Sequence, residues 1–202
     1  MAIVLEKNGD KHRINLEKGS STSGEIVINL DWNQSGANPM DLDLGCFYEL
    51  QNGSKRLIDG LQFSRGRGGA RDQITNQGSY TQLPYIWHTG DDRVGGSGET
   101  ILVNPQGVNL IKRMTIYTFI FEGAAKWSDT NAQVTVKIPG QEDVVVKMGQ
   151  QSSQQRFCAI AELEFAGDNS ITVKKLMTFH NRHSECDSMY QWGFKYSVGS
   201  KD

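Results

Sequence analysis

Apolar and polar residues alternate along several short stretches of the chain, and this alternation predicts β-strands. In the stretch Glu25–Trp32, the residues Ile26, Ile28, Leu30 and Trp32 all fall on one face. Successive side chains of a strand point to opposite faces, so such a stretch is expected to bury one face and expose the other.

A second kind of stretch, Arg113–Glu122, is apolar on both faces, which is typical of a central strand. Many short strands separated by Gly, Asn and Pro turns predict an all-β fold, a two-sheet β-sandwich, with a short helix near the C-terminus around Asn181–Met189. Because no linker interrupts the pattern, we expect one sandwich domain over residues 1–202. The other candidate strands are Asp41–Leu50, Glu99–Asn104, Gln133–Ile138, Asp143–Met148, Phe157–Phe165, Ser170–Phe179 and Gln191–Val198.

Composition adds limits on where the protein works and what it binds. The chain has 202 residues and a net charge of −2, so no global field favours nucleic acid. No apolar run approaches the roughly 20 residues that cross a bilayer, and charge interrupts the N-terminus too soon for a signal peptide. The cysteines Cys46, Cys158 and Cys186 are odd in number and scattered. We therefore expect a cytoplasmic protein with reduced thiols and no direct membrane insertion.

The stretch Asp41–Leu50 alternates strictly and carries two carboxylates on one side. Asp41 and Asp43 are two positions apart, so their side chains leave the strand as neighbours about 7 Å apart. Like charges this close repel each other unless a cation or a basic group lies between them.

A glycine-rich acidic loop follows further along the chain. It contains Asp91 and Asp92, backbone carbonyls near Arg93 and Gly95 that are free to turn inward, and Glu99 at the start of the next strand. Calcium takes roughly 6 to 8 oxygen ligands in flexible geometry, and these groups together with Asp41 and Asp43 would supply them. The pattern therefore predicts a calcium site.

A structural interpretation of the same residues stays open. In it, Asp91 and Asp92 cap a turn while Arg93 pairs with Asp41 or Asp43. The loop lacks the twelve-residue ligand spacing of an EF-hand, so the sequence pattern does not decide between the two interpretations.

Several motifs in order resemble the calcium-binding TerD-domain family of tellurite-resistance and stress proteins, and more specifically its TerA-like branch. The resemblance extends from about Asn15 to Tyr196. The stretches that carry it are Asn15–Gly19, Leu30–Asn33, Asp41–Leu50, Gly90–Arg93 with Glu99, Phe121–Trp127, Cys158–Ala161 and Tyr190–Phe194.

The resemblance implies a two-sheet sandwich with calcium bound near one end and a role in resistance to tellurite and related stresses. It also implies other tellurite-resistance proteins and a membrane complex as partners. One feature departs from the family. Val94–Gly98 replaces a second acidic run, so Glu99 is the one carboxylate left there, and we expect weaker binding and fewer ions.

Two other clusters have candidate chemistry. His180, His183 and Cys186 are three positions apart and could present nitrogen and sulfur to zinc from one helix face, but no fixed fourth ligand is evident. The alternative is that His183, Glu185 and Asp187 make local hydrogen bonds that orient Trp192. Cys46 and Cys158 are expected to be buried, whereas Cys186 is expected to lie in a polar setting.

The stretch 64–79 is interpreted as a surface loop. Its arginines, Arg65, Arg67 and Arg71, offer a weaker hypothesis of an anion site. His88, just before the acidic loop, is interpreted as a capping or packing residue because nothing near it in sequence supplies a nucleophile.

These observations favour a non-enzymatic calcium-binding module of the tellurite or chemical stress response that acts through protein–protein contacts. The alternative is a small-ligand or glycan-binding sandwich with structural calcium, in which Trp32, Trp87 or Trp127 forms a stacking platform. A magnesium-dependent hydrolase would also need a phosphate clamp, for which only the stretch 65–71 is available.

Overall fold

The computed structural model describes residues 1–16, 24–32, 40–63, 68–90 and 98–197, which form thirteen strands and two short helices. The strands are β1 (Ile3–Leu5), β2 (Lys11–Asn15), β3 (Ile26–Asp31), β4 (Asp41–Leu50), β5 (Lys55–Asp59), β6 (Gly78–Ser79), β7 (Ile86–His88), β8 (Glu99–Val103), β9 (Ile111–Glu122), β10 (Gln133–Lys137), β11 (Val144–Lys147), β12 (Phe157–Phe165) and β13 (Ser170–His180). The helices are α1 (Gly60–Phe63) and α2 (His183–Tyr190). Neither described helix has the length and apolar character needed to span a membrane.

The strands form two sheets that pack face to face. The seven-stranded sheet has the order β1-β11-β10-β3-β8-β7-β6, and the six-stranded sheet has the order β2-β13-β12-β9-β4-β5. The pair β1–β11 is parallel, and the other strand pairs among the described residues are antiparallel. The predicted all-β sandwich with a short helix near the C-terminus is confirmed.

The inner faces of the sheets form the main core. Ile26, Ile28 and Leu30 of β3 are buried in it, as the alternation predicts. Opposite them, β4 contributes Leu42 and Leu44, which lie in the same cluster. β9 runs between β12 and β4 and is buried on both sides, so the prediction of a central strand is also confirmed.

The outer face of the six-stranded sheet carries a second apolar cluster that the sequence did not predict. Helix α2 and the segment after it cover this face, so the strands below are buried on both sides. The buried members of the cluster are Phe47, Tyr117, Phe119, Phe157, Ala159, Leu176, Cys186 and Trp192.

The segment after α2 is not a strand, so the prediction of a strand at Gln191–Val198 is wrong over its described part, residues 191–197. Gln191 ends the helix in the left-handed region (φ 56°), which turns the chain back over the sheet. The Asp187 carboxylate then accepts hydrogen bonds from the N–H groups of Gly193 and Phe194, both at 2.8 Å. These bonds use main-chain donors that a sheet would need.

A charged residue of β9, Arg113, holds Trp192 of this segment against the sheet. The Arg113 guanidinium lies 4.0 Å from the ring centroid of Trp192, an attractive cation–π geometry. Arg113 also donates to Glu49 at 2.8 Å. Trp192 is thereby held between the aromatic cluster and a cation that is itself fixed to β4.

A buried carboxylate attaches α2 to the sheet. Asp59, at the end of β5, accepts hydrogen bonds from the Tyr117 hydroxyl at 2.7 Å and from His183 Nε2 at 2.9 Å. Burial alone would raise the pKa of Asp59. The bond and charge of His183, the Tyr117 hydroxyl and the Leu61 N–H outweigh burial and hold the pKa of Asp59 below its ordinary 3.8.

All three cysteines are free and buried. Burial raises the pKa of Cys46 and of Cys158, and it raises that of Cys186 to about 12. The expectation of a polar setting for Cys186 is wrong, because α2 turns this side chain toward the aromatic cluster rather than toward solvent. Thiols with raised pKa values are weak nucleophiles at neutral pH.

Gly45 lets Tyr117 cross β4. A Cβ atom at position 45 would lie 2.3 Å from Tyr117 Cε2, so Gly45→Ala forces the ring away from Asp59. We expect a loss of about 2 to 3 kcal/mol in the free energy of unfolding, as for other overpacked cores, measured by urea denaturation. In a double-mutant cycle with Tyr117→Leu, the cost of Gly45→Ala should fall sharply. An unchanged cost would show that Tyr117 is not what the glycine accommodates.

Asp59→Asn should remove the ionic part of the attachment of α2. Because the folded pKa of Asp59 is lowered, its carboxylate contributes stability in full above the unfolded-state pKa and loses it as the pH falls through the folded value. The variant should therefore be about 3 kcal/mol less stable at pH 7, and the gap to the unmodified protein should narrow below about pH 4. Urea denaturation across pH checks both. Asp72→Asn, at an exposed carboxylate, is the control and should leave stability unchanged at every pH.

Candidate metal centre

The first two predicted ligands lie where β4 begins. Asp41 and Asp43 alternate with Leu42 and Leu44, whose side chains enter the main core, so both carboxylates leave the opposite face of the strand, as predicted. Asp43 is fully buried and Asp41 is half-buried.

A third predicted ligand, Glu99, is held next to these aspartates by a hydrogen bond from the main chain of Leu44. The ladder between β4 and β5 ends at the pair Gly45–Asp59, where the chain turns into α1, so β5 offers no partner to Leu44. Glu99 of β8 takes that role from the other sheet, because its Oε2 accepts the Leu44 N–H at 2.6 Å. A fully buried carboxylate thus lies beside the residue that follows Asp43.

His88 completes this contact. Its Nδ1 accepts a hydrogen bond from the Gly90 N–H at 3.1 Å, which leaves Nε2 as the ring donor. Nε2 donates to the Leu44 carbonyl at 3.1 Å and lies 3.5 Å from Glu99 Oε2. The ring packs on Phe63, with centroids 5.0 Å apart. The interpretation of His88 as a packing and capping residue is confirmed.

Main-chain contacts fix the described residues on both sides of the acidic loop. Thr89 N–H donates to the Thr100 carbonyl at 2.9 Å, which extends the β7–β8 pairing up to the loop. Gly98 has φ +69°, and a Cβ there would lie 2.0 Å from the Leu30 carbonyl oxygen. The chain therefore approaches β3 closely just before Glu99, and this approach aims Glu99 at β4.

The other predicted ligands, Asp91, Asp92, Arg93 and Gly95, lie outside the described residues. Within the described ranges, no group of three or more His, Cys, Asp or Glu side chains stands close enough to hold a metal ion. The described residues do contain side chains of a type that could bind a metal. Asp43 and Glu99 are fully buried carboxylates, one directly before Leu44 in β4 and the other bonded to the Leu44 N–H. Carboxylate oxygens are the ligands that a hard cation such as calcium takes.

The candidate zinc residues are engaged separately. His183 binds Asp59, His180 Nε2 lies 3.0 Å from the Thr178 hydroxyl, and Cys186 is buried among aromatic rings. The zinc hypothesis is therefore wrong for these three residues. The alternative is confirmed for two of its three residues: Glu185 accepts from the Asn181 N–H at 2.8 Å, and the Asp187 carbonyl accepts the main-chain N–H of Trp192 at 3.1 Å. It is wrong for His183, whose partner Asp59 is not local.

Neither the anion hypothesis nor the stacking platform gains support from the described residues. Arg71 is ion-paired with Glu25 and stacks on Tyr80, while Arg65 and Arg67 lie outside the described residues. Trp32 and Trp127 are buried in the main core and offer no ring face to a ligand. Trp87 is half-buried.

Comparisons with known proteins include one sequence relative and two solved structures with a similar fold. No family model matches the chain. The chain is 32% identical over 206 residues to the tellurium resistance protein TerA of Alcaligenes sp., a match that covers 95% of the chain and 57% of that protein. The chain thus spans a little over half the length of this curated relative.

Solved structures share the fold. One is a homologue of the telluride resistance protein TerD from Streptomyces coelicolor A3(2), with a TM-score of 0.53 at 14% identity over 81% of this chain and 94% of that one. Another is a protein of unknown function, with a TM-score of 0.51 at 11% identity over 85% of this chain and 98% of that one. The sequence similarity to TerA, together with the fold shared with a TerD homologue, supports placing the chain in the TerD-domain family.

Proposed function

We propose that the chain is a non-enzymatic, calcium-binding module of the cytoplasmic response to tellurite and chemical stress. The observation that carries the proposal is the similarity to a tellurium resistance protein over 95% of the chain, joined to two buried carboxylates at the mouth of an acidic loop. The raised pKa values of the three cysteines argue against thiol chemistry on tellurite as the activity.

The proposed ligands come from two sources. Asp41, Asp43 and Glu99 belong to strands whose positions are fixed by the two sheets. The loop would add the carboxylates of Asp91 and Asp92 and backbone carbonyls near Arg93 and Gly95. Bound calcium would neutralise carboxylates that are costly to bury as charges.

The chain's own contacts give such binding a consequence. Glu99 ties the end of the loop to the Leu44 N–H, and His88 ties its beginning to the Leu44 carbonyl. A cation that orders the loop would therefore act on a surface anchored to both sheets. We propose that this surface docks other tellurite-resistance proteins and, through them, a membrane complex.

Calcium should stabilise the protein. At calcium concentrations about 100-fold above the dissociation constant, binding adds about 2.7 kcal/mol, which for a chain of this size raises Tm by about 5 to 10 °C. The double variant Asp43→Asn/Asp91→Asn should abolish this shift. Differential scanning calorimetry with and without calcium measures it.

The control variant is Asp72→Asn/Glu142→Gln, which removes the same amount of charge from two exposed carboxylates away from the loop. It should keep the full calcium shift. A Tm that calcium leaves unchanged in the unmodified protein, or a shift that survives in the double variant, would contradict the proposed site.

Gly98→Ala should weaken calcium binding without touching a ligand. The added Cβ would meet the Leu30 carbonyl, so the loop end and Glu99 must move. Gly53→Ala is a matched control, because Gly53 also has a positive φ (+83°) but open space around it. Both variants should lose about 1 kcal/mol or more of stability from backbone strain, whereas calcium affinity by titration calorimetry should fall only for Gly98→Ala. Equal affinities would show that the loop end does not position the ligands.

A further inference from the structure

Strand β2 forms an edge of the six-stranded sheet, and no strand of the described chain pairs with its outer side. Antiparallel residues direct their main-chain groups alternately toward and away from the neighbouring strand. The N–H of Lys175 donates to the Asp10 carbonyl at 2.8 Å, which sets the even-numbered residues of this stretch toward β13. Lys11 and Arg13 therefore point their N–H and C=O groups away from the sheet.

The side chains of the same two residues line a groove on the outer face of the sheet. Lys11 lies opposite Lys174 and Arg13 lies opposite Thr172 in the β2–β13 register. The groove has a volume of about 500 Å³. It is lined by Gly9, Lys11, Arg13, Glu164, Thr172 and Lys174.

The groove has an excess of positive charge at the sheet edge. Arg13 is paired with Asp168 at 2.6 Å, and Lys174 lies opposite Glu162 across β12 and β13, although the two are not close enough for an ion pair. Among the described residues, no ion pair involves Lys11. Like charges directly opposite each other across two strands are destabilising. An anionic group placed beside Lys11 would relieve this repulsion.

Charges across the outer face of the sheet form alternating stripes. The basic stripe on β2 and β13 is followed on β12 by Glu162 and Glu164, then by Arg113 on β9 and Glu49 on β4. A strand added outside β2 would continue this alternation if its outward side chains were acidic. A second copy of β2 would place lysine and arginine against lysine and arginine, which disfavours pairing between copies.

We propose that an acidic, extended segment of a partner protein adds to β2 as a further strand. Its main chain bonds to the outward N–H and C=O groups of Lys11 and Arg13, and its carboxylates face Lys11 and Lys174. Main-chain bonds of this kind supply affinity, and the pattern of side chains supplies specificity. This surface does not depend on the calcium site, because none of its residues belongs to the proposed ligand set.

A labelled peptide of alternating glutamate and valine serves as the probe, with a glutamine and valine peptide as its control. Fluorescence anisotropy at low ionic strength should show binding of the acidic peptide alone. Lys11→Gln should weaken binding by up to about fivefold, the upper range for one exposed ion pair. Asp72→Asn, at an exposed carboxylate beside Gln82 and next to β6 rather than β2, should leave binding unchanged.

The main-chain part is tested by Lys11→Pro. Proline removes an N–H that faces solvent, the position in a sheet at which it is tolerated. Binding should be about tenfold weaker than for Lys11→Gln, because one hydrogen bond is lost in addition to the charge. Hydrogen exchange in the unmodified protein provides a second readout. The acidic peptide should slow exchange at Lys11 and Arg13, whereas His12 and Ile14, already bonded to β13, should change little.

Equal binding of the acidic and glutamine peptides would overturn the proposal. Equal affinities of Lys11→Pro and Lys11→Gln would also overturn it, as would hydrogen exchange at Lys11 and Arg13 that the peptide leaves unchanged. Either of these two results would indicate an anion site without strand addition. A Tm of the unmodified protein that calcium leaves unchanged, together with intact peptide binding, would contradict the proposed function and leave this surface supported.

Discussion

The bond between Glu99 and the Leu44 N–H is the contact on which the described end of the sandwich depends. β4 continues past the end of β5, so β5 offers no partner to the N–H and C=O groups of Leu44, which is a buried residue. An unsatisfied buried donor costs about 1 to 3 kcal/mol, and a charged acceptor returns more than a neutral one. Glu99 and His88 satisfy both polar atoms of Leu44 from the opposite sheet. The same two residues flank the acidic loop, so packing and candidate function share one contact.

The outer face of the six-stranded sheet is divided in two, and this division determines which surfaces remain available. One half is aromatic and lies under α2, which is held by Asp59 and by the Asp187 carboxylate. The other half is polar and has its charges in stripes. A sandwich whose sheet is covered on one half can offer the rest of that face without exposing apolar surface.

The alternation of apolar and polar residues along the sequence predicted the bounds and the burial of individual strands. The bounds of β4 and β12 follow from alternation, and the two-sided burial of β9 follows from its apolar run. Asp41 and Asp43 could be assigned to one face for the same reason. Residues 91–97, on which the rest of the predicted site depends, lie outside the described chain.

The failures have a common cause in contacts that the alternation within a single segment does not record. The segment 191–197 has the alternation of a strand, yet the Asp187 carboxylate takes its N–H groups and holds it over the sheet. Cys186 has polar neighbours in sequence but faces apolar ones in space. The role of Glu99 toward Leu44 depends on where β5 ends, which no local pattern of β8 records. Gly98 is a signal that could have been used, since a glycine directly before a strand often marks close backbone approach.

The sheet register places the candidate calcium end and the basic edge at opposite corners. Asp41 pairs with Glu122 at one end of β9, whereas Glu164, next to the groove, pairs with Arg113 near the other end. Nine residues of strand separate these positions, about 30 Å at roughly 3.3 Å per residue. The intervening strands are bonded on both sides, and under α2 they are also packed on both faces. For one end of the sheet to affect the other, the strands between them would have to adopt two different packed arrangements. Strands that are fixed in this way have only one arrangement. Occupancy of the two surfaces should therefore be independent, which suits a module that joins separate partners rather than one that switches between them.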